Sequence, residues 1–287
     1  MATKPRTQAQ EQAQELCRIA ARALRASDAE EAESSARQAL SLAPGERGAS
    51  YLLGLALLAL GRAADAVEPL ECAAEDNADP AVATNLATAL AQSGKEKEAL
   101  AALRRASEAQ PPFAPAFLRL GRLLHIRGHI LEAKAALKRA VELAPDDADA
   151  WLGFADTLTD LGESRDARTA YERALALRPD WILARQGIVR ALMDEGEFAP
   201  AIAMLEVLAA RAPEDASILL DLGYSLQESG RLKEALAVYG RAAAVEPRAY
   251  KQALHSLIGA ARGTFWLRPS ASAKSLPPPR RQGKPEK

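Results

Sequence analysis

Apolar residues recur along this chain at three- and four-residue spacing, in stretches of about a dozen residues cut by Gly or Pro. The stretch WLGFADTLTDLGESRDARTAYERALALRP, 151–179, shows the design. Trp151, Phe154, Ala155 and Leu158 fall on one stripe of a helix, Gly162 breaks the pattern, Ala167, Tyr171 and Ala174 form a second stripe, and Pro179 closes it. That periodicity predicts two short amphipathic helices joined by a glycine turn. Runs rich in Val, Ile and Thr are nearly absent, so strands are not expected.

The same skeleton returns at a fixed interval. Gly occupies 61, 94, 128, 162, 196 and 230; Ala occupies 32, 66, 99, 133, 167, 201 and 235; Pro occupies 111, 145, 179, 213 and 247. Except for steps of 33 from Gly61 to Gly94 and from Ala66 to Ala99, the spacing is 34 throughout. Helix pairs repeated at such a period cannot each bury an apolar face alone, so they stack on their neighbours. The mid-repeat Gly is expected in the left-handed conformation that ends the first helix. The closing Pro falls between repeats, where a missing backbone donor costs little.

A 34-residue unit with small residues at positions 8, 20 and 27 and a closing Pro resembles the tetratricopeptide repeat. Seven copies starting at 13, 47, 80, 114, 148, 182 and 216 place Ala20, Gly54, Ala87, Gly121, Ala155, Val189 and Gly223 at position 8. Position 20 is Ala in all seven, and position 27 is Ala except at Leu208. Val189 and Leu208 make the sixth copy the bulkiest at its small positions, which predicts wider helix packing there. Ser27 replaces the turn glycine of the first copy, and the second copy is one residue short with Ala78 where Pro is expected. The resemblance implies an all-α fold, a right-handed superhelical solenoid of about seven helix-turn-helix repeats with a C-terminal capping helix. The expected segments are a flexible arm over 1–12, the repeats 13–46, 47–79, 80–113, 114–147, 148–181, 182–215 and 216–249, a capping helix over 250–267 and a basic, Pro-rich tail over 268–287.

Composition narrows the function classes. Lys plus Arg, 37, nearly balance Asp plus Glu, 38, for a net charge of −1. Residues 264–287 hold six basic residues against Glu286, a local +5, which leaves about −6 upstream. A mildly acidic body is a poor binder of phosphate backbones, so nucleic acid is not expected as a partner. Cys17 and Cys72 form neither a disulfide framework nor a zinc pattern and read as small apolar residues. The start, MATKPRTQAQEQAQE, has no apolar core of a secretory signal, and the ten-residue run YLLGLALLAL, 51–60, is too short to span a bilayer. A soluble, cytoplasmic protein is expected. The tail stretch Thr264-Phe-Trp-Leu-Arg-Pro269 reads as the end of the cap, with Phe265 and Trp266 packed on the last repeat, or as a docking peptide.

Catalytic chemistry is not evident. His125 and His129 have metal-ligand spacing, but Gly128 breaks the helix between them and no third ligand accompanies them. Ser225 lacks the glycines of a nucleophile elbow, and Ser93-Gly-Lys95 lacks the upstream Gly of a phosphate loop. Asp146-Asp147 follows Pro145, where a carboxylate caps the next helix. The reading is therefore no enzyme, no cofactor and no metal.

What remains is the concave face that the resemblance assigns to the first helix of each repeat. On it fall Tyr51 and Leu55, Asn85 and Thr88, Arg119, Arg122 and His125, Asp156 and Asp160, Arg190 and Asp194, and Asp221 and Tyr224. These form the expected peptide-binding groove of a non-catalytic interaction scaffold, with the arginines taking a carboxylate of a protein or peptide partner. The alternative is a substrate-recruiting or regulatory subunit of a transferase or of a secretion or assembly complex. Self-association remains open.

Overall fold

The structure is a computed structural model, and it describes residues 8–75 and 79–258, with only the backbone of Leu257 and Ile258. Among these residues every regular element is an α-helix. The helices are α1 (Gln8–Arg25), α2 (Ala29–Leu42), α3 (Arg47–Ala59), α4 (Ala63–Ala74), α5 (Pro80–Gln92), α6 (Glu96–Ser107), α7 (Ala114–Ile126) and α8 (Ile130–Leu143). They continue as α9 (Ala148–Asp160), α10 (Ser164–Leu177), α11 (Ile182–Glu195), α12 (Phe198–Arg211), α13 (Ala216–Glu228), α14 (Leu232–Val245) and α15 (Ala249–Ile258). Within the units, consecutive helices from α1 to α8 and from α10 to α15 pack on each other. The chain forms two compact units, Met1–Thr157 and Leu158–Lys287, and the division falls inside α9.

Helix α1 begins at Gln8, so residues 8–12, expected as an arm, are helical. Residues 259–287, which hold the expected end of the cap and the basic tail with Phe265 and Trp266, lie outside the described residues, as does Ala78.

The small positions do the packing work expected of them. Ala32, Ala66, Ala99, Ala133, Ala167, Ala201 and Ala235 are all fully buried. At position 8 the reason for glycine is explicit. A methyl group at Gly54 would overlap Leu70, at Gly121 it would overlap Leu137, and at Gly223 it would overlap the Tyr239 ring. Each obstructing side chain lies at position 24 of the same repeat. The next repeat yields as well: a methyl at Gly153 would meet Leu137 Cδ2 at 3.2 Å, and one at Gly187 would overlap the Tyr171 ring. Position 24 thus seats a large side chain where two helices leave room. In the Leu158–Lys287 unit, Val189 and Leu208 are buried. There α11 and α12 make fewer close backbone approaches than α13 and α14, the wider packing their bulk predicts.

The turns between paired helices share one hydrogen bond. The backbone N–H of the residue that follows the turn returns to the last turn of the first helix, as in Arg62 to the Leu57 carbonyl (2.8 Å) and Arg231 to Leu226 (2.8 Å). The residue between must turn left-handed, and the six glycines there have φ of 72–83°. Ser27 makes the same turn at φ 61°, carrying a Cβ where none is comfortable. Ser27→Gly should therefore stabilise the first hairpin by about 0.5–1 kcal/mol, net of glycine's larger chain entropy. Amide exchange in α1 and α2 should slow about two- to fivefold, and unchanged exchange would show that the turn carries no strain.

Candidate functional site

All thirteen expected groove residues lie on the first helices of the hairpins: α3, α5, α7, α9, α11 and α13. In the Met1–Thr157 unit, several are brought together. Asn85 donates from Nδ2 to the Tyr51 hydroxyl at 2.9 Å, a bond between residues 34 apart. Burial pushes the Tyr51 hydroxyl above its ordinary pKa, and the Asn85 bond partly opposes that. One amide N–H of Asn85 and one lone pair of the Tyr51 hydroxyl are thus engaged within the protein. Leu55 is half-buried on the same helix.

Thr88, Arg119 and Arg122 line an open cleft of about 490 Å³ formed by α5, α7, a residue of α6 and the start of α9. Thr88 holds its hydroxyl on the Thr84 carbonyl at 2.9 Å. Leu118 and Leu123 contribute apolar wall, and Ile126 stands 76% exposed at the margin. Arg122, His125 and Asp156 line an adjoining cleft of about 150 Å³. One continuous face of this unit thus carries Thr88, Arg119, Arg122, His125 and Asp156.

Both arginines are exposed and, among the described residues, neither has an ion-pair partner. Solvent reaches Arg119, yet the surrounding protein desolvates it, and that burial, followed by the Arg122 charge, pushes its pKa below the ordinary arginine value. Exposure combined with desolvation is what a recessed wall produces. The side chain remains charged at any ordinary pH.

Two acidic residues of the cleft were not expected there. Asp149 occupies position 2 of its repeat, and the resemblance assigns positions 2, 5, 6, 9, 12 and 13 to the inner face, so the spacing could have found it. Asp147 was expected only as a cap, and it is one: its Oδ1 accepts from the Asp149 and Ala150 backbone N–H groups at 2.9 and 3.2 Å. Both carboxylates line the cleft that holds Arg119 and Arg122. His129 stands at the N-terminus of α8, beyond Gly128 at φ 76°, so it belongs to a different helix from His125.

In the Leu158–Lys287 unit the expected residues are less gathered. Asp160, Arg190 and Asp194 are exposed. Asp221 and Tyr224 line an open cleft of about 670 Å³ with Glu246, Lys251 and His255, the last two supplied by α15. Tyr224 meets Phe198 edge to face at 6.2 Å. Burial raises the Asp221 pKa, nearby Arg190 opposes the rise and Asp215 adds to it. A carboxyl whose folded pKa lies above its unfolded value binds more protons when folded, so its contribution falls as pH rises through the folded value. Asp221→Asn should accordingly raise the unfolding midpoint at pH 7, and the gain should vanish near about pH 3, below the unfolded carboxyl's pKa. A gain independent of pH would mean that ionisation of Asp221 is not its source.

Tetratricopeptide repeat family models match residues 17–82, 124–191 and 192–258. No curated protein matches the sequence at a significant level. Solved structures match its fold. YrrB, described as a tetratricopeptide repeat protein with an unusual peptide-binding site, is 22% identical with a TM-score of 0.61, over 65% of this chain and 96% of its own. PilF of Pseudomonas aeruginosa is 19% identical with a TM-score of 0.64, over 72% and 95%. A tetratricopeptide repeat protein from Parabacteroides merdae is 19% identical with a TM-score of 0.57, over 86% and 98%. No described helix is long and apolar enough to cross a membrane.

Proposed function

The chain belongs to the tetratricopeptide repeat family, whose members serve in general as non-catalytic protein-interaction scaffolds, and from that premise we propose that its Met1–Thr157 unit holds a segment of a partner protein in the cleft between α5 and α7. The observation that carries this reading is the pair Arg119 and Arg122. Two like charges one helical turn apart, without a carboxylate partner, are unfavourable in the free protein and become favourable when a ligand supplies the missing charge. The wall that presents them is built of packed helices, so the ordering cost of binding falls on the ligand. YrrB, with a peptide-binding site on the same fold, gives the reading a precedent at the level of fold.

Site-specific photo-crosslinking in cells tests it. A photoreactive amino acid at Thr88, in the cleft, should capture a protein partner. The same probe at Lys138, exposed on α8, should not. Equal capture from both positions, or none from the cleft, would end the proposal.

A further inference from the structure

The reading just given leaves open what chemistry the cleft selects, and the inference drawn here rests on that reading. Three features of the Met1–Thr157 unit bear on it. The arginine pair offers two planar guanidinium forks and lacks an anion. Beside it, Ala91, Leu118 and Leu123 form apolar wall, and Ile126 at 76% exposure leaves an aliphatic surface in water. Finally, Asp147 and Asp149 line the same cleft and give it negative charge a short way from the positive.

The two signs together restrict the ligand. A single carboxylate relieves the repulsion between Arg119 and Arg122. Each further negative charge along a ligand would meet Asp147 or Asp149 and pay repulsion instead. A nucleic-acid backbone or a run of acidic residues therefore gains little here. A purely apolar segment would cover Ile126 but leave both arginines desolvated and unpaired, which is costly. The structure assigns the cleft to an extended peptide with one Asp or Glu beside an aliphatic residue. Its carboxylate lies between Arg119 and Arg122, and its aliphatic side chain rests on Leu118, Leu123 and Ile126. A basic residue next in line would face Asp147 and Asp149.

Selection from displayed random decapeptides, fused at their C-termini so that no free terminal carboxylate competes, tests this on the full-length chain. Enriched sequences should carry one Asp or Glu with Leu, Ile, Val or Met within two positions, favoured over the Asn or Gln counterpart about tenfold or more. On Arg119→Glu/Arg122→Glu the acidic preference should be replaced by Lys or Arg. On Arg119→Gln/Arg122→Gln it should disappear without reversal, with circular dichroism verifying that both variants fold. Peptides enriched without an acidic preference, runs of acidic residues, or the same sequences on wild type and variants would overturn the inference. If crosslinking from Thr88 then still captures a partner, the scaffold reading stands without this specificity. If no peptide is enriched on the wild type, the inference fails as well.

Discussion

Gly121→Ala will destabilise the Met1–Thr157 unit, although alanine is the better helix former by about 1 kcal/mol. The added methyl would overlap Leu137 at its branch carbon, and Leu137 is fully buried between α7 and α9. It has little slack toward α9, where Gly153 already leaves out the Cβ that would stand 3.2 Å from Leu137 Cδ2. Overpacking of this kind costs about 1–3 kcal/mol, enough to outweigh the propensity gain. Leu137→Ala alone should cost about 2–5 kcal/mol through the cavity it leaves. In the double variant the new methyl enters that cavity, so Gly121→Ala should change sign and become neutral or stabilising against the Leu137→Ala background. Chemical unfolding followed by the fluorescence of Trp151, which packs with Phe154 and Val141 in this unit, reads the cycle. Equal cost for Gly121→Ala in both backgrounds would mean that the glycine is not there to admit Leu137.

That pair explains why so much of the fold was legible in the sequence. A steric rule between position 8 and position 24 repeats every 34 residues, and its glycines and alanines show in the letters. The turn glycines were legible for a similar reason, since a left-handed φ leaves few residue choices. Binding residues obey no such rule. Tyr51 and Asn85 were expected to face a peptide, and part of their polar capacity goes to a bond between them. Asp149 was missed although its position marks it. Gln227 stands at another inner-face position of its repeat, yet it is only 1% exposed. Helix α15 packs on α13 and covers that part of the face, and the position rule holds only where nothing follows to cover it. The division of the chain inside α9 also left no mark, because Thr157 and Leu158 continue the helical pattern unbroken.

Gln227 is also where the largest effect in the Leu158–Lys287 unit is expected. Its Oε1 accepts from the Tyr239 hydroxyl at 3.3 Å, and its Nε2 donates to the Ser256 carbonyl at 3.0 Å, so one side chain ties α13 to α14 and α15. Tyr239 is fully buried, and burial above all pushes its hydroxyl far above the ordinary tyrosine pKa. It therefore stays a donor at every accessible pH and always needs an acceptor. Gln227→Met keeps the volume but removes an acceptor of the hydroxyl and the donor to the carbonyl, while the Ser256 side chain still bonds the hydroxyl, for a total of about 2–3 kcal/mol. Because coupling in a repeat array is local, amide exchange should rise in α13, α14 and α15 while α3 to α6 keep their protection. Adding Tyr239→Phe removes the donor that has lost this acceptor and should return about 1 kcal/mol. Without that recovery, the cost of Gln227→Met would have to come from shape alone, and the hydrogen bonds would not be what fastens the last helix to the array.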